Sequence, residues 1–256
     1  NSFIMKIAFL GTGTSQGIPI IGSDHPVCKS ENPKDRRLRS SVLVNWDRNN
    51  FVIDCGPDFR TQMLNSNCSN IDAIIYTHEH SDHVAGLDDI RPFFFNQGKI
   101  PIYAHKRVLN ELKKRFYYIF DENYSYPGSP KVIENVIYSN FSINDKKIIP
   151  INAFHKDLQV YGYRFENFAY LTDVKTIEKK EIKKLDDLDV LVINALRIEE
   201  HYSHFNLDQA LEFIKGIKPK KAYLTHISHM LGFHDEVQKI LPENVFLAYD
   251  GLEITI

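Results

Sequence analysis

The segment His78-Glu79-His80-Ser81-Asp82-His83 places three imidazoles and the Asp82 carboxylate within six positions. His78 and His80 are two apart and, in extended chain, point to one side. Asp82 and His83 follow past a bend and face a second position. This suits two metal ions better than one tetrahedral ion; two-metal hydrolytic sites hold their ions about 3.5–4 Å apart. It is not the helical His-Glu-x-x-His zinc pattern, whose histidines are four apart. The competing reading, a histidine-rich surface turn, does not explain why the cluster directly follows an apolar run.

That run, Ile71-Asp72-Ala73-Ile74-Ile75, reads as a buried strand over 71–76, and Val84-Ala85-Gly86-Leu87 opens a helix. The cluster therefore sits at the carboxyl end of a strand, where open α/β sheets place their sites. Other candidates also stand at predicted strand ends: Asp54 after strand 51–53, His155 after 147–153, Asp173 after 168–172 and His226 after 221–225. Asp54 is placed to hydrogen-bond a ligand histidine from behind. His25 and Cys28, three apart in a turn, have zinc-like spacing. Arg36, Arg37 and Arg39 meet anionic substrate or are surface charge.

The remaining elements are strands over 6–10, 41–45, 100–104, 132–138, 141–143, 159–165 and 188–196, with closing strands over 245–256. Helices are expected over 57–65, 106–120, 176–185, 207–217 (capped by Asn206) and 234–241. The polar and aromatic stretch 121–130 is the candidate lid or substrate-facing loop. The loop Gly11 to Pro19 lacks the Gly-Lys-Ser/Thr ending of a nucleotide-binding phosphate loop.

The 256 residues, 43% hydrophobic and 25% charged, suit one large α/β domain. The net charge of −2 gives no electrostatic footprint for nucleic acid. Cys28, Cys55 and Cys68 form no framework, so reduced thiols and a cytosolic location are expected. No apolar run approaches a membrane span. Met5 is a candidate native start, which would leave residues 1–4 as non-native.

His-x-His-x-Asp-His is the signature of the metallo-β-lactamase fold, and the chain resembles that superfamily of binuclear metallohydrolases. The resemblance implies a four-layer αββα sandwich, with the metal site at the edge between two sheets. It also implies two ligand groups: His78, His80 and His155 for one divalent ion, Asp82, His83 and His226 for the other, with Asp173 bridging. Zinc, manganese and iron all suit these ligands.

Four stretches narrow the branch: 10–19, Asp54-Cys55-Gly56-Pro57, Thr77 to His80, and Thr225-His226-Ile227-Ser228-His229. Together they resemble the phosphoribosyl 1,2-cyclic phosphate phosphodiesterase branch. That resemblance implies attack of a metal-bound hydroxide on a small anionic phosphodiester, with His204 aiding the departing oxygen and His201 as the alternative. It further implies a structural zinc at Ser23, His25, Cys28 and His229, where serine is a poor ligand; the site either holds zinc with water or stays empty. A homodimer is compatible with the resemblance. The competing functions are a nuclease of the same fold, a thioester or lactam hydrolase, and a non-catalytic metal-binding protein.

Overall fold

The computed structural model describes residues 4–256. The expectation of a non-native start therefore falls largely outside the described residues. Two sheets face each other. In the first, β1 (Met5–Gly11), β2 (Ser41–Trp46), β3 (Asn49–Ile53), β4 (Ala73–Ile75), β5 (Ile100–Ala104) and β6 (Val132–Val136) lie side by side in sequence order. In the second, β7 (Phe141–Ile143) and β11 (Thr176–Ile177) flank β8 (Lys146–His155), followed by β9 (Leu158–Phe165), β10 (Phe168–Tyr170), β12 (Val190–Asn194), β13 (Lys221–Thr225) and β14 (Val245–Leu247). The last strand, β15 (Glu253–Thr255), returns to the first sheet beside β1.

Each sheet is antiparallel on one side and parallel on the other. Strands β3 to β6 run parallel, as do β10, β12, β13 and β14. Apolar residues on the two inner faces make the central core, with Phe9, Val44, Phe51, Tyr163, Phe165 and Val192 all fully buried. A second core seals helices onto the outer face of the first sheet: α1 (Phe59–Ser66), the one-turn α2 (Ser81–Val84), α3 (Arg91–Gln97), α4 (Lys106–Arg115) and α5 (Tyr117–Phe120). A third does the same for α7 (Leu207–Ile217) and α8 (His234–Ile240) on the second sheet, with Leu185, just after the one-turn α6 (Lys179–Ile182), joining them. These are the four layers expected.

Local chemistry explains several boundaries. Asp47 and Arg48 both take positive φ, so β2 and β3 are joined by a two-residue turn whose twist matches the strands. Asn206 caps α7 through a reciprocal box with Gln209. Two expectations change. The helix over 106–120 breaks at Phe116, whose backbone leaves the helical region (φ −123°, ψ 39°) in an aromatic run of modest helix propensity. The helix over 176–185 is instead β11, one turn of α6 and a 3₁₀ turn over Lys183–Leu185, because Thr176 and Ile177 pair with β8. Among the described residues no helix is long and apolar enough to cross a membrane.

Candidate metal centre

Every parallel strand that ends at the seam between the sheets delivers a polar residue there. Asp54 follows β3, the His78–His83 turn follows β4, Asp173 follows β10 and His226 follows β13; His155 ends the antiparallel β8. Asp54, Asp173 and His226 all adopt left-handed backbone, with φ of 64°, 58° and 54°. Such conformations are uncommon outside glycine and persist only where surrounding bonds hold them. Here Asp54 N–H donates to Ile75 O at 3.0 Å, and Asn194 clamps the backbone after Asp173.

The side chains converge in two groups. His83 Nε2 lies 3.1 Å from Asp82 Oδ2 and 3.2 Å from Asp173 Oδ2, while His226 Nε2 lies 3.2 Å from Asp173 Oδ1. Donor atoms of Asp82, His83, Asp173 and His226 all fall within 4.8 Å of one another. On the other side, His78 Nε2 meets His80 Nδ1 at 3.0 Å, and the His155 ring stands 5.2 Å from that of His80 and 4.4 Å from that of His204. Asp173 reaches both groups, since Oδ1 also accepts from His204 Nε2 at 3.0 Å.

The hydrogen bonds behind the rings fix which nitrogen faces inward. His155 Nδ1 donates to Ser203 O (2.9 Å), His83 Nδ1 to Asp54 Oδ2 (2.6 Å) and His78 Nδ1 to Thr77 Oγ1 (3.0 Å). Thr77 passes its own proton to Asp54 and also donates its N–H there, both at 2.8 Å. One buried carboxylate thus orients a histidine from each group. With Nδ1 protonated, each Nε2 presents a lone pair to the centre, the form that binds metal. His83 Nε2 and His226 Nε2 are buried and make no well-angled hydrogen bond among the described residues, although carboxylate oxygens stand 3.1–3.2 Å away.

Charge points the same way. Burial pulls His78 well below its ordinary pKa and His155 down to about 4, leaving both neutral. Burial would also lower His83, but Asp82, Asp173 and Asp54 together drive it well above its ordinary value. Asp82 and Asp173, which burial alone would raise, are lowered by the neighbouring histidines, His83 leading for the first and His226 for the second. Buried carboxylates that recruit a proton onto a histidine mark a position calling for positive charge. Imidazole nitrogens aimed at carboxylates without a good hydrogen bond, together with this charge pattern, fit divalent cations.

Glycine makes the close approach possible. A Cβ on Gly56 would stand 2.1 Å from Asp82 O, and one on Gly86 2.0 Å from Gly56 O. Here Cys55 N–H donates to His83 O and Gly86 N–H to Cys55 O, which stitches the end of β3 to α2. Gly56→Ala should push the Asp82 turn outward, at about 1–3 kcal/mol of overpacking cost. A thermal melt with a metal titration checks this: a lower midpoint and weaker metal uptake are expected, and unchanged values of both would refute it.

The centre lies on the floor of a cleft of about 460 Å³ whose rim includes Thr14, Ser15, Ser81, His201 and Tyr202. The 121–130 loop contributes no lining residue; it packs aside, with Arg91 donating to Tyr126 Oη and Ser129 to Tyr118 O. It is not the lid expected. Arg37 is neither surface charge nor an evident substrate contact: it is buried and donates to Thr12 Oγ1 and Ala248 O. Arg39 pairs with Asp58.

The Ser23, His25, Cys28 and His229 set does not converge as a ligand group. The rings of His25 and His229 meet edge to face at 4.7 Å, but His25 Nδ1 accepts Val27 N–H and Ser23 Oγ accepts His25 N–H. Cys28 packs with Ile18 and Val27. Among the described residues, the groups of three or more donors within 4.8 Å are both at the cleft. Sequence reasoning passed over Thr77 and Ser203. Thr77 adjoins the motif and could have been suspected; Ser203 acts through its backbone oxygen, which no residue type signals.

Residues 49–227 match the β-lactamase superfamily domain. The chain belongs to the β-lactamase superfamily. It is a metal-dependent hydrolase. A new diphosphatase from the PhnP family has a solved structure 40% identical to this chain, with a TM-score of 0.91, covering 98% of this chain and 97% of that one. The chain belongs with that family inside the superfamily. Zn(2+)-bound PqqB from Methylobacterium extorquens shares the fold at 15% identity, with a TM-score of 0.79 over 98% of this chain and all of that one. An octanoyltransferase of Porphyromonas gingivalis is 39% identical over 98% of the chain, which spans only 52% of that protein's length. Ribonuclease Z of Bacillus licheniformis is 26% identical over 97% of this chain and 98% of that protein.

Proposed function

We propose that the chain is a binuclear phosphoryl hydrolase that cleaves a small phosphodiester or diphosphate. The observation that carries this reading is the convergence of two clusters of donor atoms that share Asp173, one with Asp82, His83 and His226 and one with His155 and His204. His78, His80 and His155 would hold one divalent ion, and Asp82, His83 and His226 the other. Bound there, the ions would supply Lewis-acid stabilisation of phosphoryl charge and a water acidic enough to deprotonate near neutral pH.

The chain's own residues do the rest. Asp54 and Ser203 O hold the imidazoles in their ligand tautomers. His204, stacked at 4.9 Å on His226, donates its Nε2–H to Asp173 Oδ1 at 3.0 Å, and as the imidazolium it would turn that proton to the departing oxygen. Water's oxygen forms the new bond to phosphorus, the ester or bridging P–O bond breaks, and the leaving oxygen takes up the proton. The diphosphatase relative supports the phosphoryl class. Octanoyl transfer is not assigned, because the chain spans only 52% of the octanoyltransferase's length.

Metal content and turnover of bis-p-nitrophenyl phosphate and of a disubstituted diphosphate test the reading together. About two ions per chain with hydrolysis of either substrate is expected. Two ions and no hydrolysis of either would sink it and turn attention to RNA ends, as the ribonuclease Z relatives suggest, or to thioesters. The same metal count on the His25→Ala/Cys28→Ala variant is expected to stay at two, as the uncollected donors there imply.

A further inference from the structure

We propose that Arg115, with the Ser81 hydroxyl beside it, binds a second anionic group of the substrate and so selects diphosphates over phosphodiesters with uncharged substituents. The inference rests on the phosphoryl reading above and deepens it. Arg115 is the last residue of α4, is exposed, and places Nη1 3.4 Å from Ser81 Oγ. Ser81 stands between the candidate ligands His80 and Asp82 and lines the cleft.

The surrounding ion pairs single this cation out. Lys113 is paired with Glu134 at 2.7 Å and Lys114 with Glu111 at 2.5 Å. Among the described residues, no ion pair engages Arg115 within 4.0 Å. Glu79, the acid in the same turn as the ligands, is gripped by Arg107 through both carboxylate oxygens, at 2.7 and 3.0 Å. Arg107 is fixed in turn by Gln159 O. The carboxylates of Asp82 and Asp173 face inward to the histidines. Arg115 therefore stands beside Ser81 without a close ion pair among the described residues, sharing only the more distant field of Glu111 with Lys114.

Its place is also informative. Ser81, which Arg115 contacts, lines the same cleft as His155, His201 and His204. A phosphoryl group seated in that cleft would have the imidazoles as its floor and, through Ser81, a guanidinium at its rim. Guanidinium matches phosphate with a planar fork of donors, and its present bond to a neutral hydroxyl is long enough to be exchanged for a phosphate oxygen at little cost.

The test compares wild type, Arg115→Ala, Arg115→Lys and Lys114→Ala, all loaded with metal. The readout is the ratio of kcat/KM for diadenosine diphosphate to that for bis-p-nitrophenyl phosphate. In Arg115→Ala the ratio is expected to fall about ten- to hundredfold, the scale of one charge-assisted hydrogen bond, mostly through KM. Arg115→Lys should recover part of it, and Lys114→Ala should keep the wild-type ratio. A second readout needs no turnover: the extra thermal upshift given by inorganic pyrophosphate over phosphate should shrink in Arg115→Ala. A ratio within twofold of wild type, or an equal fall in Lys114→Ala, would overturn the proposal. If wild type hydrolyses neither substrate the phosphoryl reading fails, and the pyrophosphate shift alone then decides Arg115.

Discussion

Asp173→Ala is expected to lower turnover by at least about a thousandfold and bound metal from two ions per chain to one or none. Asp173 is shared by both clusters of donor atoms that fall within 4.8 Å of one another, with Asp82, His83 and His226 on one side and His155 and His204 on the other; Oδ2 lies 3.2 Å from His83 Nε2, and Oδ1 lies 3.2 Å from His226 and 3.0 Å from His204. Metal-ion stabilisation of transition-state charge is worth several kcal/mol, and each 1.36 kcal/mol is tenfold, so losing it reaches roughly a thousandfold. The variant also removes a negative charge from among buried histidines, so uptake of the second ion should be hit harder than that of the first. Asp173→Asn separates shape from charge. It keeps the contact with Thr172 Oγ1, at 2.7 Å in the native chain, and the same backbone, yet should remain nearly as inactive. Elemental analysis with single-turnover kinetics checks both variants. Two ions and turnover within tenfold of wild type would remove Asp173 from its bridging position.

What the sequence made legible follows from locality. The His78–His83 turn compresses four candidate ligands into one strand end, so spacing alone revealed them and the strand that carries them. His155, Asp173 and His226 lie far apart in sequence, and only their shared place at strand ends, read beside the family resemblance, linked them. The sandwich was legible for the same reason: β-branched runs alternate with amphipathic helices. The misreadings lie where tertiary contacts override local pattern. Thr176 and Ile177 look like a helix start but are recruited as an edge strand by β8. Arg37 looks like surface charge, yet Thr12, Ala248 and His234 surround it from segments more than twenty residues away. The supposed lid is tied down by Arg91 and Tyr118, contacts that turn-rich composition does not reveal. At the Ser23–Cys28 loop, where the spacing left zinc or an empty site open, Ser23 and His25 accept local backbone N–H groups and Cys28 packs with Ile18 and Val27.

His204→Ala carries the second large effect, and its size should depend on the leaving group. General acid catalysis contributes about 10²–10⁴ where a poor leaving group must be protonated as it departs. For an alkoxide, the variant should lose that much in kcat. For p-nitrophenolate, already stable as an anion, the loss should be within about tenfold, because little proton transfer is needed. The surroundings of His204 make this separation meaningful. Ser203 Oγ and His201 Nδ1 each lie 3.2 Å from its Nδ1, so the ring is held from behind independently of the other donor group. Burial lowers its pKa below the ordinary histidine value, with Asp173 opposing, so the acid role requires the imidazolium form that Asp173 favours and the loss on the alkoxide ester should be largest at the acidic side of the pH profile. His204 also sits within 4.8 Å donor range of His155 and Asp173, so it could act as a ligand instead. The two roles diverge in the measurement. A ligand lost should remove metal and slow both substrates alike, whereas an acid lost should leave the metal count intact and spare the nitrophenyl ester. Equal losses on both esters, with an ion missing, would assign His204 to the metal instead of the departing oxygen.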